Sequence, residues 1–425
     1  MIAPGSPKYN VGFVFELEGD IDPELFEAAI KAVVARHDAF FINYAGCTSD
    51  GVPQQAFGGP QSFAVSRVDV SMHDDAEARA RACIQTVFAE PLPLSGAVLW
   101  RFQWIQVSAT RAYWVGCFHH LICDGTSVSL IAMAIYDEYK RLTGGQCDEL
   151  PSAPPSYQEF IAQDLAYRAS SRYEKDRQFW LSRFTQASQP LLGELDLTQQ
   201  NQSSGQVQWH LERQTYTRMT AVAKSLGCSG PHFLMATLAI YFGRVSDNRE
   251  KVIIGLAIHN RTDARQKRTV GMFTSQIPVG VHIDPEATFA QTIHGVAAEI
   301  RRCYRHQRFP MSEINRHLGI GTRSHSSLFD FTLSFEEFPG DADLEGIRAT
   351  VIPFHNDDTG QALAIAVCGY EKRKSLLIKF DYAQSLFDEK VMRAHQSRLE
   401  ILIRAILEHP SGVEQRVSEV VLLGA

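Results

Sequence analysis

The sequence has no excess of basic residues: 41 Lys and Arg stand against 48 Asp and Glu, for a formal charge of −7 and a pI near 6.1. That balance argues against nucleic acid as the main partner, because a phosphate backbone calls for a basic surface. No C-x-x-C pair is present either. The eight cysteines (Cys47, Cys83, Cys117, Cys123, Cys147, Cys228, Cys303, Cys368) are scattered, and read as reduced, partly buried thiols of a cytoplasmic protein. There is no P-loop and no G-x-S-x-G elbow, which speaks against ATP use and serine-acyl chemistry. Gly319-Ile320-Gly321 has no third glycine and is rejected as a dinucleotide loop. The opening Met-Ile-Ala-Pro-Gly-Ser-Pro lacks a basic region followed by an apolar core, so no signal peptide is read. Long hydrophobic runs are also missing. Ser225–Gly243 carries no charge over nineteen residues, but Gly227, Ser229, Gly230, Pro231 and His232 interrupt it. A buried core helix starting near Pro231 is expected there, and no membrane contact.

What is present is ordinary globular material: 425 residues, 45% hydrophobic and 21% charged, enough for two or three units. Periodicity predicts strands at 9–17, 63–68, 98–107 and 113–118, alternating with helices at 22–36, 74–88 and about 127–142. Asp22 is the expected cap of the first helix, with Pro23 in its first turn. Gly, Pro and Ser concentrate at 143–156 and mark a linker, followed by a helix or helix pair at 157–184 and a soft stretch at 199–205. The alternation then repeats to a last helix near 389–407, with strands that include 349–353 and 362–368. The resulting division is 1–156 as an N-terminal half, 157–205 as a helical connector and 206–425 as a C-terminal half. Two similar α/β halves suggest an internally duplicated sandwich, and ligand sites in such arrangements favour the crevice between halves.

One string carries chemistry: His119-His120-Leu121-Ile122-Cys123-Asp124-Gly125, after the apolar run 113–118 and before a helix. Consecutive strand residues face opposite ways, so only one histidine can face a given cavity and the other packs in its own half. Gly125 can take a positive φ or let a substrate approach the backbone. The following helix aims its free N–H groups and positive dipole end at the same spot. A histidine beside such donors suits acyl transfer, where a base handles the nucleophile's proton and donors hold the oxyanion. A lone histidine at a strand end is usually structural; the whole string is far more specific. As a metal set His-His-x3-Asp is poor, because the neighbours diverge and no third ligand cluster is evident, so no metal is expected.

The His-His-x3-Asp-Gly string, set in one α/β half and followed by a second, resembles the condensation domains of nonribosomal peptide synthetases. The resemblance extends through Tyr9-Asn10, Arg36-His37-Asp38-Ala39, Pro155-Ser156-Tyr157, Gly255–Arg261, Val270-Gly271-Met272-Phe273, Arg305–Pro310 and Ser326–Asp330. It implies an α/β fold, a V-shaped pseudo-dimer of two chloramphenicol acetyltransferase-like sandwich halves with a tunnel between them. His120 would face that tunnel and the Gly125 region would donate to the oxyanion. Asp124 would pair with Arg261 and, with His119, support the loop. Ser156-Tyr157, Tyr167, Ser170–Asp176, Phe179-Trp180, Asp38–Phe41 and Leu363–Val367 are similar to the starter subtype. A starter domain takes an acyl group from acyl-CoA or an acyl carrier protein and attaches it to an aminoacyl-loaded peptidyl carrier protein. Its substrates ride on CoA or phosphopantetheine, it needs no tightly bound cofactor, and adjoining synthetase domains are its neighbours. An elongation-type domain and a non-catalytic recruitment module are the alternatives.

Three departures accompany the resemblance. The apolar stretch that opens these domains is missing before Tyr9, so the chain is read as one domain cut from a longer assembly. Phe273-Thr274-Ser275-Gln276 stands where Phe-Val-Asn-Thr is frequent, so contacts there are expected to differ. Asp357–Leu363 replaces the Lys-Phe-Asp-Leu-like run of elongating members. The densest basic run is Arg301, Arg302, Arg305 and Arg308 with His306 among them. It is read first as a solvated helix end that complements the dipole, and second as a docking patch for a pantetheine phosphate or an acidic carrier protein.

Overall fold

Helices laid on two mixed sheets realise this alternation in a computed structural model, which describes residues 6–49, 53–59, 62–94, 98–144, 153–186, 190–193, 195, 203–320, 328–336, 342–344, 346–352, 361–369, 375–409 and 412–419. Cys147 and the rest of 145–152, the stretch 196–202, Gly321, Ser326-Ser327 and 357–360 lie outside the described residues. In chain order the elements begin with β1 (Asn10–Glu18), α1 (Pro23–Arg36), β2 (Ile42–Cys47), β3 (Pro53–Phe57), β4 (Ser66–Asp69), α2 (Ala76–Ala89), β5 (Trp100–Ser108), β6 (Arg111–His119), α3 (Gly125–Leu142) and α4 (Tyr157–Arg168). They continue with α5 (Ser171–Arg183), β7 (Ser204–Glu212), α6 (Arg213–Ser225), α7 (Gly230–Val245), β8 (Lys251–Ile258), β9 (Ser275–His282), α8 (Phe289–Tyr304) and α9 (Met311–Leu318). The last are β10 (Phe331–Glu336), β11 (Ala342–Leu344), β12 (Ile347–Ile352), β13 (Leu363–Cys368), β14 (Ser375–Ala383) and α10 (Glu389–Glu408). Asp22 caps α1 by accepting from the N–H groups of Glu24 and Leu25, with Pro23 in the first turn as expected.

The chain forms two units. The first comprises Met1–Ala169, His259–Thr274 and Phe338–Asn356; the second comprises Ser170–Ile258, Ser275–Glu337 and Asp357–Ala425. Those bounds differ from the division read off the sequence. The connector 157–205 parts between α4 and α5, and two segments of the expected C-terminal half belong to the first unit. The reason is a pairing that local periodicity does not encode: β12 runs antiparallel beside β1, with Val14 opposite Ile352 and Glu18 opposite Arg348. The β2–β3 hairpin and α9 have no counterpart in the sequence reading.

In the first unit the strand order is β11-β12-β1-β6-β5-β4. Helices cover both faces. Phe13, Phe15, Trp114 and Phe118 pack with α1 and α3, while Val14, Tyr113, Val115 and Cys117 pack with α2. A strand buried on both faces reads as a continuous apolar run, which is why 113–118 shows no alternation in sequence. In the second unit the order is β7-β14-β13-β10-β8-β9, with β10 parallel to both neighbours. Its core includes α7, whose residues from Phe233 to Gly243 are all buried. The uncharged stretch near Pro231 is therefore a core helix, and among the described residues no helix is long and apolar enough to cross a membrane.

Gly116 on β6 lets the Phe13 ring lie flat on the backbone: a Cβ there would stand 2.5 Å from Phe13 Cζ. Gly116→Ala should lower stability by roughly 1–3 kcal/mol through overpacking. The urea midpoint measures this, and Phe13→Leu in the same chain should recover part of the loss.

Candidate active site

β6 ends at His119, and the row Tyr113, Val115, Cys117 carries His119 into the interior, where it is 5% exposed. Its Nδ1 accepts the Leu121 N–H at 3.0 Å, and its ring lies 5.5 Å from that of Tyr9. Burial, and then the adjacent His120, pull its pKa down to about 4. His119 is thus a neutral packing residue at ordinary pH. The ladder stops here: the His120 N–H donates to Tyr9 O at 2.7 Å and the Ile122 N–H to His119 O at 3.0 Å. His120 lies in the resulting turn, half-buried. Its Nδ1 is buried and meets no hydrogen-bond partner among the described residues.

Beyond that turn, Asp124 caps α3. Its Oδ1 accepts the Ser127 N–H at 2.8 Å, and its carbonyl accepts the Val128 N–H at 2.8 Å. The Gly125 and Thr126 N–H groups, the other two free donors of the first turn, have no partner among the described residues. Gly125 does not use a positive φ; of the two expectations for it, the structure shows open space, with no atom within 4 Å of where a Cβ would stand.

The Asp124 side chain is fully buried and receives Arg261 in a two-pronged pair, Nη1 to Oδ2 at 2.6 Å and Nη2 to Oδ1 at 3.1 Å. Phe273 N–H at 3.0 Å, Thr274 N–H at 3.1 Å and the Thr274 hydroxyl at 3.1 Å complete the shell on Oδ2. Burial by itself raises the Asp124 pKa; the guanidinium and these N–H donors outweigh it and hold the carboxyl below its ordinary range. Arg261 also donates to the carbonyls of Gln266 at 3.1 Å and Thr269 at 3.2 Å and to Ser127 Oγ at 2.8 Å, and lies 4.1 Å from the Phe273 ring centroid. Ser127 Oγ in turn donates to Gly271 O and accepts from Gly271 N–H.

Several residues that carry the resemblance, with no role legible in the sequence, acquire one here. Asp38 accepts the Tyr157 N–H at 2.9 Å and the Ser156 hydroxyl, tying the start of α4 to the end of α1. The Tyr157 hydroxyl donates to Met272 O at 2.6 Å, and a Cβ on Gly271 would stand 2.1 Å from the Tyr157 ring. The sequence reading gives Ser127 only as the start of a helix and assigns its hydroxyl no role. Thr274 stands at the departure position, and its hydroxyl supplies a contact to Asp124 that valine cannot make. Cys123 is buried, with Sγ donating to Asp124 O at 3.6 Å. Burial and the Asp124 charge push its pKa well above the usual thiol range, so it stays a neutral thiol.

The basic run belongs to the second unit. Arg301, Arg302, Arg305 and Arg308 are all exposed, Arg302 pairs with Glu299 at 2.7 Å, and the Arg305 carbonyl accepts from Arg172. His306 is fastened inward, its Nδ1 2.7 Å from Asp176 and its ring stacked 3.8 Å from that of Phe179. Among the described residues no group of three or more His, Cys, Asp or Glu is placed to hold a metal.

Residues 1–424 match the family described as Condensation domain. The chain belongs to that family. Its members are acyltransferases that form amide bonds, and so is this chain by class. It is similar to the dimodular nonribosomal peptide synthase of Bacillus subtilis (strain 168), with 26% identity over 403 residues, 94% of this chain and 17% of that protein. Gramicidin S synthase 2 of Brevibacillus brevis is 23% identical over 419 residues, 98% of this chain, which spans only 9% of that protein's length. Among solved structures, the starter condensation domain of rhizomide synthetase RzmA superposes with a TM-score of 0.82 at 23% identity, over 99% of this chain and 95% of that one. A variant of that domain in complex with C8-CoA gives a TM-score of 0.84 at 23% identity, over 99% and 93%. The fold shared with these condensation domains is the chloramphenicol acetyltransferase-like one expected from the motif.

The Asp124–Arg261 pair generates a stability prediction. Removing one partner of a buried ion pair leaves an uncompensated charge, so Asp124→Asn should lower stability by roughly 3–5 kcal/mol at pH 7. Because the folded carboxyl has a lowered pKa, its contribution is complete above the ordinary carboxylate range near pH 4 and is lost as pH falls through the folded value. Urea unfolding of both proteins at pH 7 and at pH 3 should show the gap between them shrinking in acid.

Proposed function

We propose that the chain is a starter condensation domain. It transfers a fatty or other acyl group from acyl-CoA or an acyl carrier protein to the amine of an aminoacyl-thioester held on a peptidyl carrier protein. The observation that carries the condensation chemistry is the His120 turn: a half-buried imidazole that makes no side-chain hydrogen bond among the described residues, close in sequence to the Gly125 and Thr126 N–H groups, which have no partner among them, and to an open glycine. The likeness to a starter domain solved with C8-CoA supports the choice of donor.

In this mechanism the acceptor amine attacks the thioester carbonyl, forming the C–N bond. His120 accepts or orients the amine proton, and the Gly125 and Thr126 N–H groups receive the oxyanion. The C–S bond then breaks and the proton leaves with the thiol. Binding donor and acceptor together makes the aminolysis effectively unimolecular, which supplies much of the rate advantage. His119, Asp124 and Arg261 are positioning residues: they set the turn and touch no reacting atom. Arg301, Arg302, Arg305 and Arg308 are proposed to dock a carrier protein or a pantetheine phosphate, since all four are exposed on one short stretch.

The test offers acyl-CoAs of several lengths with an aminoacyl-loaded carrier protein and follows the N-acyl product by mass. Product from CoA is the expected result. Product only from a carrier-bound peptide would replace the starter reading with the elongation one, and binding without product would replace it with recruitment. His120→Ala should cut product at least ~100-fold, the lower end of general acid–base contributions, with an unchanged circular dichroism spectrum. A folded, fully active variant would sink the assignment.

A further inference from the structure

The second unit contains a cavity of about 280 Å³ that neither the motif nor the basic run touches. It is lined by Arg183, Phe184, Arg249, Lys251, Ile253 and Asp330, among others, and opens at the N-terminal end of β8, the far end of that strand from Ile258. This is near the lower bound of small-molecule sites, so it suits a compact group.

Its charges do not cancel internally. Asp330 is buried, and both its oxygens are occupied: Oδ2 accepts the Ile253 N–H at 2.6 Å and Oδ1 the Leu191 N–H at 3.1 Å. Burial raises its pKa against the opposing pull of those two N–H groups and of Arg249. The half-buried Arg249 guanidinium acts on Asp330 through space but makes no hydrogen bond among the described residues. Lys251 Nζ lies 5.4 Å over the Phe184 ring and has no carboxylate partner among the described residues. Arg183 bonds Glu299 through Nη2, yet its Nε is buried and unpartnered among the described residues. Among the described residues, Arg249 and Lys251 thus line the cavity with unmet donors, while Arg183 is held by Glu299 and the Asp330 carboxyl is already occupied.

We propose that this cavity is an anion site that takes a phosphate group. A guanidinium fork beside an ammonium point charge matches a tetrahedral dianion, whose several oxygens can meet donors from different elements at once. A carboxylate would leave part of this donor set unmet. The group can come as free phosphate or as a phosphoester on a pantetheine-type molecule, and the two sources are separable.

The experiment titrates the full chain with inorganic phosphate and, separately, with CoA by calorimetry at constant ionic strength, using wild type, Lys251→Gln and Arg249→Ala/Lys251→Gln. Circular dichroism checks folding, and Lys251→Gln, at an exposed position, covers the case in which the double variant is unstable. Phosphate binding that weakens at least tenfold in the double variant, or threefold in Lys251→Gln, supports the site. If CoA binding weakens in parallel, the phosphate comes on that carrier; if CoA binding is unchanged, free phosphate is the ligand. No phosphate binding by wild type, or equal binding by the variants, overturns the proposal.

Discussion

The loop between β6 and α3 depends on one buried carboxylate. Asp124 accepts the Ser127 N–H at the start of α3, takes the Arg261 guanidinium in two bonds, and receives the backbone of Phe273 and Thr274. In a dry interior the desolvation of such a pair offsets much of its attraction, so its net worth to stability can be small. Its value is geometric. With every acceptor position of the carboxylate engaged, the turn that carries His120 and the segment that carries Arg261 each have one arrangement that leaves no charge unpaired. Ser127 and Tyr157 extend the same logic, each bonding backbone groups between Gly271 and Met272.

That dependence bears on which parts of the fold local sequence could reveal. Strands and helices are legible wherever periodicity or a cap announces them, as at Asp22-Pro23 for α1 and at the apolar run of β6. Several features are not, three of them instructive. The β2–β3 hairpin is mostly exposed, so it carries no buried face to pattern its sequence. The α9 helix is a short eight residues and buries only Ile314. The β12 strand reads as a strand but falls to the wrong half, because its partner β1 lies more than three hundred residues earlier in the chain. Alternation tells a strand that one face will be covered; it does not say by what.

The site is legible in a different way. His119, His120, Asp124, Gly125 and Arg261 come from a motif, and the Asp124–Arg261 pair joins residues 137 apart that no spacing rule would connect. What the motif leaves out are the residues that answer Asp124 with hydroxyl and backbone donors, Ser127 and Thr274 above all. The Thr274 hydroxyl is instructive. The departure from the familiar pattern is expected to change the contacts there, and the threonine side chain adds a donor to the same oxygen.

The spacing of the motif itself follows from elementary geometry. The first histidine is the last residue of a strand buried on both faces, so strand alternation commits it to the interior, where burial and the Leu121 N–H hold it neutral. The second histidine falls just beyond the ladder, where its own N–H is still anchored to Tyr9 but its ring is no longer bound by the pleat. Three residues are then needed to turn from strand to helix. The next must cap the helix with a short side chain, and an aspartate does so while its second oxygen remains available for Arg261. A glycine at the first helical position leaves the two uncapped N–H groups uncovered. Each position of His-His-x3-Asp-Gly thus answers a separate constraint, and only the second histidine and the glycine are left unclaimed by the fold.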